Sequence, residues 1–139
     1  MSFDFYVWRG PKPSADEFEQ RLIDLEELGL DEESVFEWSD RLPRFRREVL
    51  ARFPALEDLD DEEPDTPWAN TPVESSTFIE LNFRWSVTSA QLAFVFGRAL
   101  YGGLHIYDPQ GDEVSSPGPA RWQILLRKVG LDRLAGPDP

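Results

Sequence analysis

Apolar and polar residues alternate in two stretches of the chain, and this period of two predicts strands. The first stretch, residues 3–8, alternates from Phe3 to Trp8 until the glycine and prolines at 10–13 stop the pattern. Residues 77–85 alternate most clearly and predict a central strand of a sheet. The residues expected on the core side of this strand are Thr77, Ile79, Leu81, Phe83 and Trp85.

Two amphipathic helices are predicted between these strands. Ser14-Ala-Asp-Glu17 has the form of a capping box, in which the serine hydroxyl and the glutamate carboxylate satisfy otherwise unpaired amides at a helix start. The helix that follows is expected to run to Gly29. Apolar residues recur at helical spacing from Leu42 to Phe53, and they predict a second helix whose other face carries arginines.

Two further helices are predicted in the second half of the chain. Residues 87–101 are apolar on nearly every side, which is typical of a buried helix. Ser86 is the expected N-cap of this helix, and the glycine pair at 102–103 is its expected end. A last helix is expected near the end of the sequence, with Pro119 close to its start and Gly130 as its stop.

The chain's only histidine, His105, lies with three carboxylates in residues 103–113, so this stretch is either a metal site or a turn. The sequence Asp-Pro-Gln-Gly at 108–111 fits a type I turn, because Asp accepts backbone hydrogen bonds at the first position, Pro fixes φ at the second and Gly suits the fourth. This turn would join two short strands in a hairpin. The alternative is a metal site formed by His105, Asp108 and Asp112, although their spacing matches no established ligand motif.

The predicted elements follow the order β-α-α-β-α-β-α. This order favours an α+β fold with a small mixed or antiparallel sheet and helices packed mainly on one face. A fully parallel α/β sheet is the alternative. The length of 139 residues suits one shared core, so residues 1–139 are expected to form a single domain with an acidic exposed loop at about 55–68.

Negative charge is concentrated in one part of the chain. The formal net charge is −13, and residues 14–65 hold 19 of the 27 acidic residues but only six arginines. Such a field repels nucleic acid and acidic membranes and speeds encounter with a basic protein. Solubility is the other use of an acidic surface.

Several kinds of catalytic and binding chemistry lack their sequence signals. Without cysteine the chain has no disulfide, no thiolate metal site and no cysteine nucleophile. It contains no P-loop, no G-x-G-x-x-G and no G-x-S-x-G motif. The first nine residues lack the pattern of a signal peptide, and no stretch is apolar enough to span a bilayer, so we expect a cytoplasmic protein without a cofactor.

Four short motifs resemble a family of small acidic bacterial proteins. They are an opening strand with the sequence Ser-Phe-Asp-Phe-Tyr-Val-Trp8, then Thr-Pro-Trp-Ala69, Arg-Trp-Ser86 and Gly-Leu-His-Ile-Tyr-Asp-Pro-Gln110. By motif order the resemblance covers roughly three quarters of the chain. Most members of this family are uncharacterised and resemble immunity proteins of bacterial toxin systems. His105 stands where this family leads us to expect an apolar residue.

Charge and resemblance together predict a non-catalytic protein that binds a basic partner. The resemblance implies a cytoplasmic immunity protein that neutralises a toxin, and the charge favours a basic toxin such as a nuclease. Carboxylates on the acidic loop would then lie where phosphates otherwise bind. The residues expected to contact the partner are Asp58, Asp60, Asp61, Glu62, Glu63, Asp65 and Trp68. The rival prediction is a small metal-dependent hydrolase that uses His105, Asp108 and Asp112.

Overall fold

The computed structural model describes residues 2–10, 15–59, 65–73, 75–111 and 113–117. Three predictions fall on other residues. Residues 60–64 of the acidic loop, Asp112 of the hairpin and the last helix between Pro119 and Gly130 all lie outside the described residues.

The described residues contain one sheet of five strands, ordered β2-β3-β1-β4-β5. Every pair of neighbouring strands is antiparallel, so the predicted α+β class is confirmed and the fully parallel alternative is wrong. Strand β3 lies between β1 and β2, so it is an inner strand of the sheet as predicted, and β1 is the middle strand. The strands are β1 (Ser2–Trp8), β2 (Trp68–Asn70), β3 (Phe78–Arg84), β4 (His105–Asp108) and β5 (Glu113–Ser115).

Four helices accompany this sheet in the described part of the chain. They are α1 (Ala15–Leu28), α2 (Glu32–Val35), α3 (Arg41–Arg52) and α4 (Ser89–Tyr101), and a single 3-10 turn covers Leu56–Asp58. Helix α1 ends as predicted at Gly29, whose φ of 62° is a left-handed conformation that favours glycine. None of the described helices combines the length and the apolar character needed to cross a membrane.

The larger hydrophobic cluster lies between one face of the sheet and the helices α3 and α4. Strand β1 contributes Phe5 and Val7 to this face, and α4 contributes Val95 and Phe96. Alternate residues from Thr77, which directly precedes β3, to Phe83 are buried, as their period of two predicted. This cluster therefore forms the main core.

The opposite face of the sheet is covered at one end by α1 and α2. Trp8 and Tyr107 of this face form a second buried cluster with Phe18 of α1 and with Val35 and Phe36. The prediction placed the helices mainly on one face of the sheet and did not include this smaller layer on the other face. Helix α2 has only four residues, too few to show a helical period.

Two details of the predicted elements are wrong. Trp85 is exposed rather than in the core, because β3 ends at Arg84 and the chain turns there, with the Val87 amide donating to the Arg84 carbonyl at 3.0 Å. The N-cap of α4 is Thr88 and not Ser86. Thr88 and Gln91 form a capping box in which each side chain accepts a hydrogen bond from the other residue's amide.

Candidate functional site

The acidic charge is divided into two stretches by the basic helix α3. Residues 15–40 contain eleven carboxylates and one arginine, and residues 53–65 contain seven carboxylates and no base. Between them, α3 contains five arginines and one glutamate. Because α1 and α3 lie on opposite faces of the sheet, the carboxylates of α1 are separated in space from the arginines of α3. Asp65 of the second stretch, in contrast, lines the same groove as Arg52 of α3.

The second stretch is held to the body of the protein at its start. We call residues 57–65 the acidic segment. Thr71 Oγ1 accepts a hydrogen bond from the Leu56 amide at 2.8 Å and donates one to Glu57 Oε2 at 3.0 Å. The pKa of Glu57 is lowered, first by a hydrogen bond from its own amide and then by the bond from Thr71. These hydrogen bonds therefore favour the ionised form of Glu57.

The other end of the acidic segment is held by helix α4. The side-chain amide of Gln91 donates to the Asp65 carbonyl at 2.6 Å. Gln91 is itself positioned by the capping box with Thr88. The segment thus begins and ends at fixed points, which lowers the conformational entropy lost when it binds a partner.

Trp68 lies in the core and is not a surface contact residue. Its ring is completely buried and stacks on Phe83 at 5.3 Å between centroids, and its Nε1 donates to the Phe53 carbonyl at 2.9 Å. The indole therefore fixes the chain after the acidic segment from inside. The burial of Thr66, Pro67 and Trp68 also corrects the predicted exposed loop, which does not extend to residue 68.

Two of the predicted contact residues are exposed carboxylates. Asp58 lies at the end of the 3-10 turn, and Asp65 lies at the other end of the segment. Asp60, Asp61, Glu62 and Glu63, which stand between them in the sequence, are outside the described residues. A groove of about 480 Å³ lies beside Asp65, bounded also by Arg52, Leu59 and the first turn of α4.

An exposed tryptophan in the first acidic stretch escaped sequence analysis. Trp38 follows α2 and is 63% exposed, with the exposed carboxylates Glu37 and Asp40 close to it in sequence. Large aromatic side chains at a surface are typical of protein contacts. In the sequence Trp38 stands between the two predicted helices, in a link that is rich in carboxylates.

The hairpin confirms the interpretation of the histidine stretch as a turn. Strands β4 and β5 pair through Ile106 with Ser115 and Asp108 with Glu113. His105 is buried, its Nδ1 lies 2.9 Å from Ser116 Oγ, and its ring lies 5.3 Å from that of Trp8. The histidine thus packs against the second buried cluster through Trp8.

Asp108 serves the geometry of the turn. It is 1% exposed, and its Oδ1 accepts a hydrogen bond from the Gln110 amide at 2.9 Å. Burial raises its pKa, while hydrogen bonds from the amides of Gly111 and Gln110 act in the opposite direction. A Cβ at Gly111 would lie 2.9 Å from Asp108 Oδ2, so the glycine leaves room for the carboxylate.

The described residues include no group of three or more histidine or carboxylate side chains placed to hold a metal ion. His105 and Asp108 point to opposite sides of β4 because they are three residues apart on a strand. Asp112, the third residue of the predicted metal site, lies outside the described residues.

Comparisons of this chain with protein-family models, curated proteins and solved structures find no match. The resemblance to small acidic immunity-like proteins therefore stays a prediction. Function has to be inferred from the chain's own charges and contacts.

Proposed function

We propose that this chain is a non-catalytic protein-binding module, a cytoplasmic immunity protein that neutralises a basic toxin with its acidic segment. The observation that supports this proposal is the attachment of the segment at both ends, at Thr71 and at Gln91. A stretch of seven carboxylates with fixed ends presents a concentrated negative charge at a defined place.

Charge gives this surface a preference among classes of partner. Nucleic acid and anionic lipid are repelled by carboxylates, whereas a basic protein is attracted over a distance of about one Debye length, roughly 8 Å at physiological salt. A nuclease fits this preference, because basic side chains in its substrate groove bind the phosphates of nucleic acid. Carboxylates in that groove would exclude the nucleic acid.

Binding by the acidic segment would depend on Asp58, Asp65 and the four carboxylates between them. Trp68 contributes from the core by fixing the segment's end, not by contacting the partner. Trp38 in the first acidic stretch is a second exposed surface, and its contribution to partner binding is a separate question. The two surfaces can be separated by mutation.

The proposal is tested by capture of partners from the native lysate at low salt. The first bait is the unchanged protein, and the second carries Asp60→Asn, Asp61→Asn, Glu62→Gln and Glu63→Gln. A matched control carries Glu19→Gln, Glu27→Gln, Glu32→Gln and Glu33→Gln, which remove the same charge from the first acidic stretch. Bound proteins are identified by mass spectrometry.

The proposal predicts one basic protein that is captured by the unchanged bait and the control but not by the segment variant. With the purified partner, the segment variant should bind at least about tenfold more weakly, whereas the control should lose less than about threefold. Equal losses in the two variants would show that only the total charge matters, and the acidic segment would then have no specific role.

A further inference from the structure

A groove between α3 and α4 has a charge opposite to that of the chain as a whole. Its volume is about 260 Å³, slightly less than that of pockets for drug-sized ligands, which begin at about 300 Å³. Three guanidinium groups and one carboxylate line it, in a protein of net charge −13. The lining residues with polar side chains are Arg41, Arg44, Glu48, Arg98 and Tyr101.

Arg41 lines this groove and contacts the end of α4. Its Nη1 donates to the Gly102 carbonyl at 3.3 Å. Gly103 has a φ of 80°, and a Cβ at this position would overlap the Arg41 guanidinium. The glycine pair that ends α4 therefore also makes room for the arginine, and this second use was not visible in the sequence.

Arg98 is held on the other side of the groove. Its guanidinium lies over the Phe94 ring at 5.5 Å and 4.0 Å from Glu48. The side chains of Arg98 and Glu48 are 52% and 43% exposed, so their ion pair is weak. Arg98 therefore keeps donors that can bind an anion.

Arg44 is the third cation and is exposed. Its guanidinium makes no hydrogen bond or ion pair with any of the residues that the structure describes. It stands one turn after Arg41 on α3, so both side chains extend toward the same side of the helix. Tyr101, 85% exposed, supplies an aromatic ring beside these donors.

We propose that this groove binds the phosphate group of a small molecule. Three guanidinium groups and one carboxylate give the lining a formal charge of +2, which balances a phosphate dianion. Guanidinium groups bind phosphate oxygens in pairs, and three of them can contact three oxygens, whereas a carboxylate has only two oxygens to offer. This inference does not rest on the proposed function, since the groove and the acidic segment share no residue.

The test is isothermal titration of the full chain with inorganic phosphate and with phenyl phosphate at about pH 8, where both are mainly dianions. About 0.15 M sodium chloride is present throughout, so that the chain's overall negative charge is screened. We expect saturable binding of both anions with a Kd below about 1 mM. Tighter binding of phenyl phosphate would assign the site to a phosphate ester that contacts Tyr101, and equal binding would assign it to free phosphate.

A matched pair of variants separates the groove from general electrostatics. Arg44→Gln should weaken phosphate binding about tenfold, since it removes a charge-assisted hydrogen bond. Arg47→Gln makes the same charge change on α3 at an exposed residue outside the groove, and it should change the Kd less than about twofold. Both residues are exposed, so thermal melts should show that both variants keep their fold.

Three results would overturn the inference. The first is the absence of saturable binding of either phosphate below about 10 mM. The second is an equal loss of affinity in the Arg44 and Arg47 variants. The third is binding of acetate as tight as that of phosphate, because the groove would then recognise single negative charges and not a dianion.

Discussion

The two faces of the sheet differ in what covers them and in the charge they carry outward. On one face, α3 and α4 enclose a cluster that includes eighteen of the described residues, and arginines lie on the outer side of α3. On the other face, α1 and α2 enclose a cluster that includes five of the described residues, and carboxylates lie outside. The larger cluster is expected to hold the fold together, while the smaller one holds an acidic layer in place.

This difference shows how a small domain can carry two charged surfaces of opposite sign. A strand that is buried on one face only has strictly alternating apolar and polar residues. Strand β1 is instead buried on both faces, with Phe5 and Val7 on one and Trp8 on the other. The sheet between the two layers keeps the arginines of α3 apart from the carboxylates of α1. Mutations on each face should therefore have separable effects.

The largest effect is expected from the main cluster. Phe96 packs its ring against Phe5 at 4.9 Å and Phe83 at 6.0 Å between centroids. Phe96→Ala leaves a cavity that the surrounding rings cannot close, so the free energy of unfolding should fall by about 3–5 kcal/mol. Urea unfolding followed by circular dichroism measures this loss. A loss below about 1 kcal/mol would mean that the larger cluster does not hold the fold together.

A smaller and more local effect is expected on the second face. Phe36 packs against Phe18 and Phe78. Phe36→Ala should lower the free energy of unfolding by about 3 kcal/mol, the lower end of the range for a buried phenylalanine, and should open α1 and α2 before the rest of the structure. Hydrogen exchange should accelerate in α1 while the amides of α4 stay protected. Equal acceleration in both helices would show that the two layers unfold as one unit.

A buried and an exposed tryptophan should differ in what their replacement costs. Trp68→Phe leaves the Phe53 carbonyl without its donor and should cost about 1–2 kcal/mol. Trp38→Phe, a matched change at an exposed ring, should alter stability by less than about 0.5 kcal/mol. Thermal or urea unfolding gives both values. If the two changes cost the same, Trp68 does not fix the end of the acidic segment from the core.

The smallest effect is a dependence of stability on pH at the hairpin. Burial raises the pKa of Asp108 above its ordinary value of 3.8, so the ionised carboxylate costs stability in the folded state. This cost is absent at a pH below the ordinary pKa of 3.8 and reaches its full size at a pH above the raised pKa. Asp108→Asn keeps an acceptor for the Gln110 amide and removes the ionisation. The free energy of unfolding of the variant should therefore increase relative to that of the unchanged protein as the pH rises from about 3.8 to neutral.

Melting temperatures of the two proteins measured in parallel at several pH values check this prediction. The difference between them isolates Asp108, because the other carboxylates are the same in both chains. A difference that stays constant across this range would show that the pKa of Asp108 is not raised.

Much of the fold could be predicted from the sequence because long elements have clear periods. The alternation in β3 and the apolar faces of α3 and α4 placed the main core correctly. Helix α2 and strand β2 have four and three residues, too few for a period to show. Trp85 was misplaced because alternation alone does not reveal where a strand ends.

The candidate sites were harder to predict, because they depend on contacts between residues far apart in sequence. The carboxylates of the acidic segment were visible as a run of charge, but the bonds that hold its ends come from Thr71 and Gln91. Trp68 was expected at the surface because it follows this charged run. In the groove between α3 and α4, the packing of the two helices brings Arg41 and Arg98 together, and no local sequence pattern indicates this.

The most direct test of the proposed function is the affinity of the purified partner for the acidic-segment variant and for the control variant at low and at physiological salt. The proposal predicts that the control variant binds like the unchanged protein and weakens as salt is added, while the segment variant is already weak at low salt and changes little. If both variants bind alike and have the same salt dependence, the partner does not recognise the acidic segment, and the proposed function is wrong.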